Sequence, residues 1–423
     1  MALDVADIDP TPPFSPSKLF NGKSSSPSKN SSLLFNTNNF PSISSSTSFS
    51  TLHQSLPESP HVFDFSEIIA ATNNFLTNRI STTSSTPSWR CTLHGKDVII
   101  FQRKFQPQIG LQHFKDRFYK ICLCHHTSMI QLLGISISAD YLYLVYNFVN
   151  GANLSDCLRN SKTPNFTVLS TWISRMQVAT DLAHGLDYIH NKSGINISLT
   201  HNHIKSSSII VTEPSFNARI CHFGVAQLCN EDDWNIGIEK PSNSRCDNGE
   251  IVENSKKKLE LKDKQLRLKS KKVQIKGVRG YMAPEYKSSG VATPMTDVYA
   301  FGVVILELLT GEEPVKFEFD RKKGSFVRVS LIESALAVIE EGGGDDVEGR
   351  LRKWVDRRLK DSFPLLVAEK ITRLAIRCVD VDPAKRPNMA YVASKISKLY
   401  IESKIWSDHL VNPANLSMSL APR

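Results

Sequence analysis

Gly280-Tyr281-Met282-Ala283-Pro284-Glu285-Tyr286 and, shortly after it, Asp297-Val298-Tyr299-Ala300-Phe301-Gly302 lead into an apolar run that reaches Leu309. Across 297–309 the apolar residues recur at steps of three and four, the period of a helix with a buried face. Stretches 172–190 and 367–379 share that period, so the chain beyond Gly151 reads as mainly helical. Upstream the pattern changes. Val98-Ile99-Ile100-Phe101, Leu132-Leu133-Gly134-Ile135 and Tyr141-Leu142-Tyr143-Leu144-Val145-Tyr146 are β-branched and aromatic runs that predict strands. Helices are expected over 65–72 and 114–124. The implied class is α+β: a small antiparallel β-rich lobe followed by a larger helical one.

With 423 residues and 40% hydrophobic content, the chain can bury at least one large core. It contains no apolar run long enough to span a bilayer, and Met1-Ala2-Leu3-Asp4 opens on early acidic residues with no basic region before an apolar stretch. Ala2 excludes myristoylation, and Leu420-Ala421-Pro422-Arg423 offers no cysteine for prenylation. The expected location is cytoplasmic, with peripheral attachment at the plasma membrane as the alternative. Eight scattered cysteines suit reduced thiols. Cys122-Leu123-Cys124-His125-His126 has metal-ligand residue types but no second pair at finger-like spacing, so a packed helix end is expected there and no metal site.

Residues 1–60 are rich in Ser, Pro and Asn and carry no sustained period, which predicts disorder; the early acidic residues argue against a plastid transit peptide. The charge is also local. Between Ser255 and Lys276 ten basic residues face two acidic ones, a surplus of eight within a net charge of +9. This segment repeats every seven residues, from Lys257, Lys264 and Lys271. Its apolar positions are two apart, on one face of a strand but on opposite sides of a helix, so it is not a coiled coil. An anionic lipid or an acidic protein is the partner class for Lys256–Lys276, and phosphorylation at Ser255 or Ser270 would weaken such binding. Nucleic acid is not expected, because no aromatic residue interleaves the lysines to stack on bases.

Several ordered motifs carry a family resemblance. Phe65-Ser66-Glu67-Ile68 with Ala71-Thr72-Asn73-Asn74-Phe75, then Leu144-Val145-Tyr146 with Asn150-Gly151, the two stretches quoted first, and Asp382-Pro383-Ala384-Lys385-Arg386-Pro387 resemble the plant receptor-like kinases, the branch related to interleukin-1-receptor-associated kinases. The match resembles the cytoplasmic subset. It implies a two-lobed protein-kinase-like domain over 61–404, with an N-lobe at 61–147, a C-lobe at 148–404 and the basic segment as an activation-segment insertion at about 230–276. Residues 405–423 are then a tail.

The resemblance also implies where the chemistry should be, and there the chain departs from it. Phosphoryl transfer needs a metal-bound nucleotide held by positioned charges, with a carboxylate beside the acceptor hydroxyl. The phosphate loop, glycine-rich in the family, reads Ser81 to Ser88 here, with Ser81, Thr83 and Thr86 inside it and no glycine. The phosphate-gripping lysine falls at Phe101, or at Gln102 if the register slips by one. Ile99 stands where the family has a small alanine against the adenine, narrowing a pocket that Tyr146 would also line. Arg117 replaces the helix glutamate that partners the lysine. In His201-Asn202-His203-Ile204-Lys205-Ser206-Ser207-Ser208, His203 replaces the base aspartate and Ser208 the metal-binding asparagine, leaving Lys205. His222-Phe223-Gly224 lacks the carboxylate that would hold magnesium.

Packing residues remain. By the family's pattern Ile121, His201 and Phe223 form the apolar column between the lobes, Asp297 anchors the catalytic-loop backbone, and Glu285 pairs with Arg386. Random decay would remove packing and chemistry alike, so the asymmetry implies a folded domain retained for its surfaces. The expectation is an inactive pseudokinase with no intact catalytic residues, no metal, and ATP and magnesium binding lost. It would act as a scaffold or allosteric regulator of an active receptor-like kinase or another signalling protein. The alternatives are a weak serine/threonine kinase using Arg103 and His203, and an electrostatic adaptor built on the basic insertion. A zinc site from His201, His203 and His222 is the remaining metal reading, set against packed or solvent-facing histidines.

Overall fold

A computed structural model describes residues 60–76, 87–105, 111–159, 169–193, 199–229, 278–321, 324–340 and 346–411. The N-terminal segment before residue 60, the loop positions Ser81, Thr83 and Thr86, the basic repeat and residues 412–423 lie outside the described residues.

The small lobe is a five-stranded sheet in the order β1-β4-β5-β3-β2. Its strands are β1 (His61–Val62), β2 (Ser88–Leu93), β3 (Lys96–Lys104), β4 (Leu132–Ser138) and β5 (Tyr141–Asn147). All pairings are antiparallel except β1 with β4, which is parallel. Alternation along β3 sorts its side chains between two cores. Val98 and Ile100 face a small cluster with Phe63, Ile68, Tyr143 and Val145, whereas Ile99 and Phe101 pack against the main core that continues into the helical lobe. Helix α1 (Phe65–Ala71) covers the outer cluster. Asp64 and Glu67 form a capping box at its start, and Ile68 is its buried anchor. Helix α2 (Leu111–Cys122) packs beneath the sheet and begins a few residues before the expected 114.

The large lobe comprises β6 (Ala152–Asn153), α3 (Leu154–Arg159), α4 (Trp172–Asp187), β7 (Ile209–Val211), β8 (Ala218–Ile220), α5 (Val225–Leu228), α6 (Pro284–Ser289), α7 (Pro294–Thr310), β9 (Val315–Asp320), β10 (Ser325–Ser330), α8 (Leu331–Glu340), α9 (Val347–Trp354), α10 (Leu365–Cys378) and α11 (Met389–Val411). Helix α7 is the hub. Every residue from Thr296 to Thr310 is buried, which explains why its apolar run is so nearly continuous: a helix surrounded by protein has no face left to be polar. Thr293 caps it with Pro294 at the first helical position, and Gly311 ends it at φ +72°, where an added Cβ would meet the Arg358 guanidinium. Helix α4 lies along α11, tied by a 2.8 Å hydrogen bond from the Trp172 indole to Ser403. The regular α4 stops at Asp187, and the expected stretch to 190 finishes as a π turn. Helix α11 runs to Val411, past the expected boundary at 404. Strands β1 and β2 and the β9–β10 hairpin had no counterpart among the sequence expectations.

Candidate functional site

The cleft between the lobes is lined from above by β3 and β5 and from below by residues 199–229. On β3, Phe101 faces the cleft and its ring centroid lies 4.4 Å from that of His222, edge to face, and 5.9 Å from Tyr146. Gln102 lies on the opposite face and donates to the Tyr143 hydroxyl at 3.1 Å, so the register places Phe101, not Gln102, in the cleft. Arg103 returns to the cleft side: its charge acts on Tyr146, Lys205 and His222 alike. Ile99 is paired in register with Tyr146. The buried Tyr146 hydroxyl donates to the Phe223 carbonyl at 2.7 Å, bolting the upper lobe to the His222-Phe223-Gly224 segment. Burial raises this phenol's pKa well above its ordinary value.

Helix α2 delivers Arg117 and Ile121. Arg117 is buried and donates to the Gln227 carbonyl at 3.2 Å, so α2 is bonded to α5 through it. Gln227 in turn donates to the Thr200 carbonyl. Ile121 presses on Gly224, where φ is +91° and a Cβ would sit 2.5 Å from the isoleucine methyl; glycine is required there on both counts. His201 stacks near Phe223 at 6.5 Å, and Ile121 and Phe223 belong to the same buried core.

Asp297, at the start of α7, organises the loop below. Its carboxylate accepts from the backbone N–H of His201 at 2.6 Å and of Asn202 at 2.7 Å, and it pairs with His190 at 3.0 Å. The His201 ring bonds the Cys221 carbonyl at 2.8 Å, and burial pushes its pKa down to about 4 despite Asp297. The His203 N–H donates to His201 Nδ1 at 3.2 Å. Burial first, then the charges of Arg103, His203, His201 and Lys205, hold His222 well below the usual imidazole range, so its ring is neutral. Burial and Arg103 likewise lower the Lys205 ammonium. Two shielded polar atoms, His222 Nδ1 and Ser208 Oγ, have no hydrogen-bond partner among the described residues.

Among the described residues no three His, Cys, Asp or Glu side chains come close enough to share a metal ion. Cys122 and Cys124 are buried at the end of α2, their thiol pKa values pushed up to about 12 and about 11.

Farther down, Arg386 grips Glu285 with two bonds of 2.6 and 2.8 Å, and also donates to the carbonyls of Met295 and Asp380. A second anchor had no counterpart in the sequence reading. Glu307, fully buried in α7, accepts from Arg159 at 2.6 Å, from Ser206 at 2.9 Å and from the Tyr281 hydroxyl at 2.8 Å. The loop carrying His201–Ser208 and the segment carrying Tyr281 are thus pinned to one carboxylate. The available signal was a lone glutamate inside an otherwise apolar helix.

Residues 96–246 match the family profile of protein tyrosine and serine/threonine kinases, and residues 254–396 match that of the protein kinase domain. The LysM domain receptor-like kinase 3 of Arabidopsis thaliana is 31% identical over 364 residues, covering 86% of this chain and 50% of that protein. Protein LYK5 of the same plant is 28% identical over 362 residues, covering 85% and 46%. The chain therefore spans about half the length of the curated relatives it matches. Among solved structures, the pseudokinase domain of BIR2, an immune regulator of the RLK/Pelle family, superposes with a TM-score of 0.55 at 22% identity, covering 80% of this chain and 86% of that one. At that identity the likeness shows the fold. No helix among the described residues is long and apolar enough to cross a membrane.

Proposed function

We propose that this chain, which belongs to the plant receptor-like branch of the protein kinase family, signals by binding and not by phosphoryl transfer. The observation that carries this reading is the aromatic contact between Phe101 and His222. Those are the positions at which the family's motifs put the phosphate-gripping lysine and the magnesium-holding carboxylate. A phenyl ring brings no charge to a phosphate, and a desolvated neutral imidazole is a poor ligand for a hard, oxygen-seeking cation. His203 and Ser208 add no carboxylate or amide to the loop below. The residues present do not fit a magnesium nucleotide.

The remaining structure serves a scaffold. Bonds from Tyr146 to Phe223 and from Arg117 to Gln227 tie the two lobes together, and those that Asp297 accepts fix the catalytic-loop backbone within the large lobe. An active receptor-like kinase or another signalling protein is the partner this reading assigns, met in the cytoplasm or at the inner face of the plasma membrane. BIR2, described as a pseudokinase domain and an immune regulator, supplies a precedent of like fold. Arg103 in the cleft is the observation that favours a second reading, a weak serine/threonine kinase with Arg103 and His203 as substitutes. The basic repeat Lys256–Lys276 supports a third role as an adaptor for anionic lipid or acidic protein.

Thermal unfolding with millimolar ATP, in magnesium and then in EDTA, tests the first reading. A ligand at a hundred times its Kd stabilises the folded state by about 2.7 kcal/mol, a shift of several degrees that such a scan resolves. No shift is expected in either condition. A magnesium-dependent shift accompanied by labelled phosphate on protein would sink the proposal and establish the second reading.

A further inference from the structure

The hairpin of β9 and β10 turns its largest apolar side chains outward. Alternation puts Val315, Phe317 and Phe319 on one face of β9, and the antiparallel register sets Phe326 opposite Phe319, Arg328 opposite Phe317 and Ser330 opposite Val315. Phe317, Phe319 and Phe326 are 54%, 55% and 69% exposed, and the rings of Phe319 and Phe326 meet edge to face at 5.4 Å. The same alternation sorts the charges. Lys316 and Glu318 fall on the other face, where Lys316 is held by Glu318 at 2.7 Å and by Glu312 at 3.2 Å. The aromatic face has arginines instead: Arg328 in β10, and Arg279, whose guanidinium lies over the Phe317 ring at 5.6 Å. Both arginines are exposed, and neither has an ion-pair partner among the described residues. Two basic runs bracket this face in the sequence. Arg279 comes three residues after Lys276, where the stretch of ten basic and two acidic residues ends, and Arg321-Lys322-Lys323 stands between the two strands. From Val315 to Ser330 five basic residues face two acidic ones. A two-stranded hairpin is marginal by itself in water, and neighbouring phenylalanines facing outward mark a surface that something covers.

We propose that the hairpin face carrying Phe317, Phe319 and Phe326 seats on an anionic phospholipid bilayer, the rings entering the headgroup boundary while Arg279 and Arg328 meet lipid phosphates. Charge complementarity selects this occupant. The face presents phenyl rings, a valine and two guanidinium groups, and its one hydroxyl, that of Ser330, is on a buried residue. It therefore offers apolar surface and positive charge with no acceptor side chain to read the donors of a protein partner. A bilayer asks for no more than this: apolar side chains at the acyl boundary and cations at the phosphates. Arginine serves both needs, since its stem lies along the rings while its fork reaches a phosphate oxygen. The basic segment ends within about 10 Å of chain from Arg279, so its charge is tethered beside the same face. The surface goes beyond the binding role proposed above and does not depend on the state of the cleft.

The test is flotation of the full chain with phosphatidylcholine vesicles, with and without phosphatidylserine. Saturable binding is expected only where phosphatidylserine is present. The joint change Phe317→Ser, Phe319→Ser and Phe326→Ser should weaken it about tenfold or more, and Arg279→Gln and Arg328→Gln about fivefold each. All five side chains are exposed, so the variants should melt where the wild type does, and the melting temperature checks that each one folds. Phe319→Trp reads depth: brominated phosphatidylcholine mixed with phosphatidylserine should quench its fluorescence beyond that of the wild type, because the introduced indole enters the boundary. Changing the ten basic residues between 256 and 276 to glutamine should lower affinity and leave a further loss when the three phenylalanines are changed as well. The proposal is overturned if neither vesicle binds, which would leave the face to a protein partner. It is overturned equally if the triple phenylalanine variant binds as the wild type does, which would assign the lipid to the basic repeat, or if Phe319→Trp gains no quenching. Phosphoryl transfer in magnesium would remove the scaffold reading and leave this surface standing, whereas failed flotation removes the surface and leaves that reading intact.

Discussion

Replacing Arg386 by methionine removes a charge at nearly conserved volume, so its cost reports the ion pair and not a cavity. The guanidinium is completely shielded, and Glu285 is three-quarters so, with 25% of its side chain exposed. Arg386→Met leaves that carboxylate unpaired and the carbonyls of Met295 and Asp380 without their donor. Removing one partner of a buried pair costs about 3–5 kcal/mol, and the partial exposure of Glu285 puts the value near the lower end. For a domain of roughly 300 residues each kcal/mol moves the melting temperature by somewhat under 2 °C, so a fall of about 5 °C is expected. The pH dependence has a definite sign. Glu285 is held below its ordinary pKa, with Arg386 as the lowering partner, so its contribution is present above the unfolded value near 4.3 and is lost as pH falls through that range. Scanning calorimetry of wild type and variant from pH 7 to pH 4 should show the gap narrowing only at the acid end. A gap below 1 °C at pH 7, or one that widens on acidification, would refute the view that this pair holds the lobe together.

Tyr146→Phe should destabilise the fold by about 1–3 kcal/mol in denaturant titration, because it leaves the buried Phe223 carbonyl without its donor; an unchanged midpoint would show that this bolt carries no strain-free bond. His201 and His222 are neutral in the fold, their pKa values lowered, so stability is complete above the unfolded value near 6.5 and falls as pH drops below it. For His201 alone that amounts to on the order of 3 kcal/mol between pH 6.5 and 4. His222→Phe should flatten the acid limb, and equal slopes in both proteins would count against a buried neutral imidazole.

The sequence reading succeeded where local pattern and tertiary role coincide. Helices α4, α7 and α10 bury one face or all faces, and their apolar period survives in the bare sequence. Alternation along β3 was enough to put Arg103 on the side of Phe101. The failures have a common physical origin. The two residues of β1 are too few to show a period, and they are strand only because Gly134 in β4 lets His61 approach: a Cβ there would lie 2.3 Å from its carbonyl. The β9–β10 hairpin was hidden because Phe317, Phe319 and Phe326 face outward, so its alternation does not mark a core. Glu307 was missed because its meaning depends on Arg159, Ser206 and Tyr281, which are distant in sequence and meet only in three dimensions.

The contact between Phe101 and His222 also sets an order on any route back to catalysis. Phe101→Lys by itself would place a third cation on the side of Arg103 and Lys205, against a neutral imidazole that cannot receive it. A carboxylate at 222 would be welcomed by the two cations already there, so it has to come first, and lysine at 101 gains a partner only afterwards. The two substitutions are therefore epistatic with a fixed sequence, and the more obvious first step is the uphill one. A lineage that takes the loss in this form has closed the shortest path to undoing it.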